Sequence, residues 1–489
     1  MLLRKLRSVA LMGEGNKDQT DQHLIDFQDT NKDKPPLTAH YLKHSFHSFL
    51  FISIWCLFLF LFFWSSSTTN KLEEFSQKCD GSVSVYVYEL PAKFNLGMLK
   101  DCRHLNVYTD MCPHVANRGL GQPITGPPQS SSSSSSWFAT HQFIAEMIFH
   151  ARVENHPCRT LEPEGATLFY VPFYGGLHAS SKFREADLVE RDRLAMELVE
   201  YLIQQPWWQR KQGRDHFLAL GRTAWDFMRG EVDFGANSLL NLPEVKNMSV
   251  LTVERHPWEG HNQHGIPYPS YLHPSTSDEL VMWQEKMRHV ERPYLFSFVG
   301  APRTGVQKAA IRDEILRQCS KDHSSCYLLK CGRVGASKCH NPSEVLKVMT
   351  KSQFCLQAPG DSFTRRSTFD SILAGCIPVF FSPHTAYTQY TWYLPKETTE
   401  YSVYIPIPEE GKTENNVDIE KELKKIPKEK VERMRNTVIG LIPRMTYMHP
   451  NSTSTSSTHL KDAVDVALEK LSNYVLNFTS SSLLPLPTI

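Results

Sequence analysis

The stretch at residues 359–381, PGDSFTRRSTFDSILAGCIPVFF, combines residue types that suit the binding of a diphosphate. Gly360 allows the backbone to approach a ligand closely, and Arg365 and Arg366 add two cations whose fork geometry matches phosphate oxygens. A helix beginning after Arg366 would aim unpaired N–H groups and its positive dipole end at the same place. Asp370, one turn further, is placed to accept hydrogen bonds from ribose hydroxyls. The pattern predicts a nucleoside-diphosphate cradle, and its alternative is a surface loop with two solvated arginines.

Two short apolar segments that suit buried strands flank this loop, at residues 354–357 and 377–381. Between them, Phe369, Ile372 and Leu373 recur at i, i+3 and i+4, which predicts a helix with one face on a sheet. The sequence therefore predicts a strand–loop–helix–strand unit with a parallel crossover. Its loop lies at the carboxyl end of a strand, where open α/β sheets bind their ligands.

Segments typical of strands alternate with segments typical of helices along most of the chain, which predicts an α/β architecture with mostly parallel sheets. The other predicted strands are residues 83–87, 166–173, 216–220, 250–253, 295–299 and 326–329. The other predicted helices are residues 137–150, 191–205, 306–319, 342–350 and 461–476, the last packing back against the first domain. Loops at residues 174–178, 222–226 and 254–269 should gather at one sheet edge.

An apolar segment at residues 46–64 is interrupted only by His47, Ser48 and Ser53. Its length is about that of a bilayer core, which predicts one transmembrane helix, with a buried soluble helix as the alternative. A long polar stretch precedes it without a cleavage site, so the pattern does not fit a cleaved signal peptide. A weak excess of lysines before the segment favours a cytosolic N-terminus. The expected topology is that of a type II protein of the secretory pathway.

Ten of the eleven cysteines follow the apolar segment, and this even number suits disulfides in an oxidising compartment. Four of them cluster within a short stretch: Cys319, Cys326, Cys331 and Cys339. Zinc is the alternative for this cluster, but the absence of a C-x-x-C pair favours disulfides. Three Asn-x-Ser/Thr sequons are candidate glycosylation sites: Asn247, Asn451 and Asn477.

Composition narrows the class of protein. The chain has 489 residues, which suggests two folded domains plus additional segments. Lys and Arg number 53 against 52 Asp and Glu, a balance that argues against a nucleic-acid partner. The Walker A, H-E-x-x-H and G-x-S-x-G motifs are absent, and no D-x-D pair suits a metal. We therefore expect no metal cofactor.

Eight longer stretches carry a more specific signal: VYVYELPAKFN (85–95), YTDMCP (108–113), TLFYVPFYGGL (167–177), GRDHFLALGRTAWDF (213–227), GIPYPSYLHP (265–274), LFSFVGAPR (295–303), FCLQAPGDSFTRRS (354–367) and AYTQYTWYLP (386–395). In this order they resemble the plant exostosin-like glycosyltransferases of family 47, and in particular the xyloglucan galactosyltransferase branch. The resemblance extends over roughly residues 81–470.

The resemblance implies a GT-B fold, in which two Rossmann-like domains face a cleft and the second domain holds most of the sugar nucleotide. The expected organisation is a cytosolic tail (1–45), a transmembrane signal anchor (46–64), a stem (65–80), an acceptor-side domain (81–290), a nucleotide-sugar domain (291–450) and a C-terminal helix and tail (451–489). The expected donor-binding residues are Arg303, Gly360, Asp361, Ser362, Arg365, Arg366 and Asp370. Their cations would replace a metal ion at the diphosphate.

The implied activity is an inverting transfer of galactose from UDP-galactose to xyloglucan side chains at the Golgi membrane, with other wall glycosyltransferases as candidate partners. Two alternatives remain open. The first is a related enzyme that uses another UDP-sugar, such as a uronic acid, or another wall polysaccharide. The second is a non-catalytic, membrane-anchored scaffold that binds polysaccharide.

The general base that deprotonates the acceptor hydroxyl should come from the first domain. Glu254 and Glu259 are the leading candidates, and His256 and His178 are the others. The chain departs from the family that it resembles at two positions in these loops. Where relatives carry an acidic residue before the Ile-Pro pair, Gln263 and His264 stand here, and His178 likewise replaces an acidic residue. For each candidate the alternative is a purely structural hydrogen-bonding role.

Overall fold

The computed structural model of the protein describes residues 53–61, 79, 83–125, 136–230, 235–332, 336–407, 417–452 and 460–481. The chain divides into two compact units, residues 1–72 and residues 73–489. In the first unit, residues 53–61 form a helix with exposed side chains. The rest of the predicted span at 46–64, the tail at 1–45 and almost all of the stem at 65–80 lie outside the described residues. Among the helices that are described, none is both long enough and apolar enough to cross a bilayer.

Six parallel strands form the first sheet of the larger unit, in the order β2-β1-β3-β4-β5-β6. They are β1 (Val85–Val87), β2 (Arg159–Thr160), β3 (Leu168–Val171), β4 (His216–Thr223), β5 (Ser249–Glu254) and β6 (Gln263–Gly265). Every residue of β3 and β5 is buried, as expected for central strands of a parallel sheet that is covered on both faces. The short strands β2 and β6 form the two edges, and the sequence did not predict either of them.

Five parallel strands form the second sheet, in the order β11-β10-β9-β7-β8. They are β7 (Tyr294–Gly300), β8 (Cys326–Lys330), β9 (Ser352–Gln357), β10 (Ile377–Phe380) and β11 (Val403–Tyr404). β9 and β10 are parallel neighbours, with Phe354 opposite Ile377. The two sheets confirm the prediction of an α/β fold with parallel strands.

The described α-helices of the larger unit are α1 (Cys112–Val115), α2 (Ala145–Glu154), α3 (Gly175–Lys182), α4 (Leu188–Ile203), α5 (Pro206–Lys211), α6 (Ser277–His289), α7 (Ile311–Lys321), α8 (Ala336–Cys339), α9 (Pro342–Thr350), α10 (Arg366–Leu373), α11 (Ile419–Lys424), α12 (Lys428–Met445) and α13 (Ala463–Ser481). One hydrophobic cluster runs continuously from the first sheet to the second, and a smaller cluster covers the other face of the first sheet. In sequence, α6 lies between the strands of the first sheet and those of the second. It packs against the elements around the second sheet, where Trp283 Nε1 donates to Leu373 O at 2.8 Å.

The predicted unit around the opening loop is confirmed, because β9, α10 and β10 follow one another as the sequence pattern indicated. Phe369, Ile372 and Leu373 are buried. Gly375 has a φ of 61°, the left-handed conformation that commonly ends a helix and that glycine adopts without steric cost.

Three predictions of local structure between residues 137 and 269 were wrong. The helix predicted from residue 137 begins at Ala145, because Trp137 and Phe138 instead form isolated strand bridges. The predicted loop at 174–178 is mostly the start of α3, whose Gly176 N–H donates to the buried Glu146 carboxylate at 2.8 Å. This cap comes from a distant residue, so local glycine-rich sequence gave no sign of a helix. The predicted loop at 254–269 contains β6.

The C-terminal helix α13 packs against the first half of the unit, as predicted. Arg152 Nε lies 2.8 Å from the Asp462 carboxylate just before α13, and both side chains are buried. Within α13, Asp465 lies 2.9 Å from His156 Nε2. Asp462 and Asp465 therefore have structural partners that fasten this helix to the first sheet's side of the unit.

All ten predicted disulfide cysteines are paired. The bridges are Cys79–Cys158, Cys102–Cys112, Cys319–Cys326, Cys331–Cys339 and Cys355–Cys376. The four clustered cysteines thus form two disulfides rather than a zinc site. The Cys355–Cys376 bridge joins β9 to the start of β10, so it fastens both ends of the loop–helix segment that the sequence singled out.

Candidate functional site

A cavity of about 1030 Å³ lies where the carboxyl ends of strands from both sheets approach each other. We call it the cleft. Its first arm is residues 222–226, at the end of β4 and in the turn that follows. Its second arm is residues 300–312 and 358–367, which follow β7 and β9. Other described residues that line it are Gln142, Phe143, Tyr268, Val299, Cys331, Gly332, Cys339 and His340. The volume suits a ligand larger than a single sugar.

The structure places five of the predicted donor-binding residues on the cleft wall: Gly360, Asp361, Ser362, Arg365 and Arg366. Their binding of a donor stays a prediction. α10 begins at Arg366, and no side chain caps its N-terminus. The positive end of this helix therefore lies at the cleft, within the second arm. A Cβ atom at Gly360 would lie 2.8 Å from Arg312 Nη2, so the glycine leaves room for an arginine that the sequence did not single out.

Arg312 and Arg365 belong to the second arm, and their guanidinium groups donate hydrogen bonds to backbone carbonyls. Arg365 donates to Ala358 O and Val299 O, both at 3.0 Å, and Arg312 Nε donates to Pro359 O at 2.7 Å. Neither guanidinium forms an ion pair with a carboxylate in the part of the chain that the structure describes. Burial, together with the neighbouring arginines, lowers the pKa of Arg365 to about 9 and that of Arg312 to about 10. The site holds positive charge that an anion would stabilise.

Arg366 carries further unused hydrogen-bonding capacity. Its Nη1 donates to Thr140 O at 2.6 Å, and its guanidinium stacks 3.7 Å from the centroid of the Tyr271 ring. Its Nε and Nη2 are buried without a hydrogen-bond partner, although Nε lies 3.6 Å from the Asp370 carboxylate. The Asp370 carboxylate balances the charge on the Nε side, which leaves Nη2 as the donor that a ligand oxygen would satisfy.

Asp370 lies behind Arg366 rather than on the cleft wall. Its carboxylate is buried and accepts a hydrogen bond from Ser270 Oγ at 2.6 Å, which links α10 to the segment after β6. Burial raises its pKa, and Arg366 opposes that shift. The predicted contact between Asp370 and a ribose stays a prediction. Arg303 is half exposed at the cleft rim, where it lies 3.3 Å from the Asp361 carboxylate.

The leading base candidates lie outside the cleft lining. Glu254 is fully buried at the end of β5, where it accepts hydrogen bonds from Trp225 Nε1 at 2.9 Å and from the backbone N–H of Thr364 at 2.9 Å. The Thr364 hydroxyl donates to the same carboxylate. Glu254 therefore joins the first arm to the second. Glu259 is exposed on the loop between β5 and β6.

The two histidine candidates are also buried away from the cleft wall. His256 Nδ1 accepts hydrogen bonds from backbone N–H groups, including that of Glu259 at 2.9 Å. His178 lies in α3, and burial, with a smaller effect of Lys182, lowers its pKa to about 4. Both imidazoles are suited to staying neutral at ordinary pH.

Sequence reasoning missed the acidic residue that the first arm does present. Asp226 lies on the cleft wall with 15% of its side chain exposed, and its Oδ2 accepts from Arg222 Nε at 2.8 Å and from Thr223 Oγ1 at 3.0 Å. The sequence had predicted that the loop at residues 222–226 lies at this sheet edge. Asp226 is the acidic residue of that loop, so it could have been named as a candidate base from the sequence. Arg312 gave no such signal, because its place in the second arm depends on tertiary packing.

The described residues contain no group of three or more His, Cys, Asp or Glu side chains placed to hold a metal ion. The three predicted sequon asparagines are all exposed: Asn247, Asn451 and Asn477. Exposure is a requirement for glycosylation, and the modification itself stays a prediction.

Comparison with known proteins identifies the family. The exostosin GT47 domain matches residues 79–423. "Probable xyloglucan galactosyltransferase GT17" of Arabidopsis thaliana is 58% identical over 458 residues, covering 93% of this chain and 97% of that protein. Xyloglucan galactosyltransferase MUR3 of Arabidopsis thaliana is 46% identical over 397 residues, covering 81% of this chain and 62% of that protein.

The xyloglucan-specific galacturonosyltransferase 1 of Arabidopsis thaliana is 38% identical over 409 residues, covering 83% of this chain and 59% of that protein. The similarity is therefore shared by relatives whose names specify different sugars. The matched family domain contains both sheets and the cleft. This protein belongs to the exostosin GT47 family of glycosyltransferases.

Proposed function

We propose that the protein transfers galactose from UDP-galactose to xyloglucan side chains, with inversion at the sugar carbon. The observation that carries this proposal is the pair Arg312 and Arg365 on the second arm, which form no ion pair with a carboxylate in the described structure and line a cavity of about 1030 Å³. Family membership and the names of the most similar relatives support galactose and xyloglucan as the sugar and the acceptor.

The second arm would bind the diphosphate. Arg312 and Arg365 supply fixed positive charge, and Nη2 of Arg366 supplies a hydrogen bond to a phosphate oxygen. As the bond between the sugar C1 and the phosphate oxygen breaks, negative charge develops on the leaving UDP. Groups that are already oriented towards that charge stabilise the transition state more than the ground state.

Asp226 of the first arm is the group that we assign to the acceptor. The acceptor hydroxyl attacks C1 from the face opposite UDP, a new C1–O bond forms, and the hydroxyl proton passes to the Asp226 carboxylate. Arg222 and Thr223 bind one carboxylate oxygen, at 2.8 and 3.0 Å, and so fix the orientation of the group. The arrangement places base and leaving-group stabiliser on opposite arms, as in-line displacement requires.

We further propose a GT-B enzyme with an acceptor-side domain at 81–290 and a nucleotide-sugar domain at 291–450. The anchor at 46–64 would hold it in the Golgi membrane as a type II protein with a lumenal catalytic part. Five disulfides and three exposed sequon asparagines support an oxidising, glycosylating compartment. Protease accessibility of the C-terminal part in sealed vesicles would contradict this topology.

The decisive experiment assays the purified full chain with a panel of UDP-sugars and xyloglucan oligosaccharides. Transfer from UDP-galactose, with a β-linked product by NMR, is the expected result. UDP binding without transfer of any sugar would support a non-catalytic scaffold instead.

A second donor is favoured by one observation. Two further cations, Arg303 and Lys308, line the second arm in addition to the buried arginines, and a uronic acid would add a carboxylate for them. The 38% identical galacturonosyltransferase makes this alternative concrete. A clear preference for UDP-galacturonic acid over UDP-galactose in the same panel would establish it.

A further inference from the structure

Five aromatic and imidazole rings form a contiguous cluster beside the cleft, in which His256 is buried and Trp258 is exposed. We call them the aromatic platform: Trp225, His256, Trp258, Phe363 and His384. The Trp258 ring centroid lies 5.7 Å from that of His256, 6.1 Å from that of Phe363 and 5.4 Å from that of His384. Trp225 closes the group, at 4.3 Å from His256 and 6.5 Å from Trp258.

Trp258 is the exposed centre of this platform, with 63% of its surface open to solvent. Its ring is inclined by 72–86° to the neighbouring rings of His256, Phe363 and His384. A single exposed aromatic residue is unremarkable on a protein surface, but one that several rings hold in a fixed orientation is preorganised for a ligand. Holding it in place before binding reduces the entropy that binding must cost.

The platform is continuous with the cleft. Trp225 belongs to both, and Phe363 lies between two cleft residues, Ser362 and Thr364. Lys308 of the cleft wall lies 4.7 Å from the centroid of the Phe363 ring. The platform also draws on both halves of the unit, since Trp258 follows β5 and His384 follows β10. A chain bound in the cleft could therefore extend directly over these rings.

The chemistry of the platform favours an uncharged ligand. Burial lowers the pKa of both His256 and His384, which keeps their imidazoles neutral. A pyranose ring in the β-gluco configuration presents C–H groups on its faces. The partial positive charge of these hydrogens matches the negative face of an aromatic ring. A neutral glucan therefore suits the rings of the platform, and the charge of Lys308 lies at its border with the cleft.

We propose that the aromatic platform is an acceptor subsite that binds the β-1,4-glucan backbone of the polysaccharide, outside the reaction centre. The inference rests on the proposed function for the direction in which the glucan enters the cleft. Trp258 would act in binding and positioning, without touching the reacting atoms. Substituting it should therefore change the KM for the acceptor and leave turnover at saturating acceptor unchanged.

The test uses the full chain and two probes, cellohexaose and a xyloglucan heptasaccharide. Trp258→Ala should raise the KM for the heptasaccharide roughly tenfold and weaken cellohexaose binding, measured by calorimetry, to a similar extent. UDP affinity and kcat should stay at their wild-type values. Trp258→Phe, which keeps a ring, should recover part of the loss.

Tyr108→Ala is the matched control, because Tyr108 is also exposed, at 73%, but lies outside the cleft and contacts only the Arg184 guanidinium among the described cation–ring pairs. It should leave both probes unaffected. Wild-type cellohexaose affinity in Trp258→Ala would overturn the subsite, as would an equal loss of UDP affinity. If the wild-type chain transferred no sugar while cellohexaose binding still depended on Trp258, the proposed function would fail and the subsite would stand.

Discussion

The two arms of the cleft carry arginines in opposite electrostatic situations. On the first arm, Arg222 lies 2.8 Å from the Asp226 carboxylate, so its charge is balanced within the protein. On the second arm, Arg312 and Arg365 donate to backbone carbonyls and lie over the Phe298 ring, and neither forms an ion pair within the described structure. One arm is therefore electrically complete without a ligand, and the other is not.

This difference assigns the arms to different substrates. A buried charge with no counter-ion destabilises a fold, since carbonyl dipoles replace only part of the lost hydration. Such an arrangement is understandable where a multiply charged anion binds, and a nucleoside diphosphate supplies that charge. The neutral acceptor needs no such excess. It needs a carboxylate that is already oriented, which the first arm provides.

Asp226→Asn should cause the largest loss of activity. The amide keeps the size and part of the hydrogen bonding of the carboxylate but cannot accept the proton of the acceptor hydroxyl. A general base typically contributes about 10²–10⁴-fold to the rate, and kcat should fall by that order. Steady-state kinetics with saturating UDP-galactose measures the effect. UDP affinity should persist, because the diphosphate binds the other arm.

Asp361→Asn is the matched control for this substitution, because Asp361 is the second acidic residue on the cleft wall and belongs to the second arm. It is 75% exposed and should change kcat little. If Asp361→Asn abolished turnover while Asp226→Asn left it intact, the division of roles between the arms would be reversed.

Arg366→Ala should come next in size. It removes the Nη2 donor, which has no hydrogen-bond partner within the described structure, so the diphosphate loses a charge-assisted contact that strengthens as the leaving group gains charge. One such donor is worth about 2–4 kcal/mol, or roughly a hundredfold or more in kcat. UDP titration should show weaker binding as well.

Arg222→Ala sharpens the comparison, because it removes a cation of the first arm. UDP affinity should stay close to that of the wild type, although turnover suffers through the misplaced Asp226. A thermal melt of both variants checks that each is folded. Equal loss of UDP affinity in Arg222→Ala and Arg366→Ala would mean that both arms bind the diphosphate, which would contradict the division of roles between them.

Glu254→Gln tests whether the buried carboxylate between the arms is a base or a structural link. It accepts from Trp225 Nε1 and from both the backbone N–H and the hydroxyl of Thr364, and an amide cannot satisfy all three donors. Leaving a buried donor unpaired costs about 1–3 kcal/mol, so the melting temperature should fall. Turnover of the folded enzyme should fall modestly and keep its dependence on pH. Loss of the acidic limb of the pH profile with an unchanged melt would instead identify Glu254 as the base.

The same region shows what the sequence could and could not predict. The unit from β9 to β10 followed from spacing alone, because the apolar periodicity of Phe369, Ile372 and Leu373 and the terminating Gly375 are local signals. The role of its charged residues did not follow. Asp370 contacts Ser270, which lies 100 positions earlier in the chain, and no local pattern indicates such a partner.

Glu254 and α3 illustrate the same limit from the other side of the cleft. Glu254 looked like a free acid at a loop, whereas its partner Thr364 lies 110 positions later. The start of α3 looked like a glycine-rich loop, whereas Glu146, 30 positions earlier, accepts the hydrogen bond from its Gly176 N–H. Periodicity reports which face of an element is buried, but the partners of buried polar groups depend on tertiary structure.

Removal of divalent metal should have the smallest effect of all. We expect chelator to leave the rate of galactose transfer unchanged, because the charge that a metal would bring to the diphosphate is supplied by Arg312, Arg365 and Arg366 of the second arm. The two carboxylates on the cleft wall support this expectation: Asp226 is bound by Arg222, and Asp361 lies beside Arg303. Initial rates with and without EDTA, at fixed ionic strength, measure it. Complete loss of turnover in chelator, restored by manganese, would mean that these carboxylates exchange their arginines for a metal when the donor binds, and the two arms would then share the diphosphate.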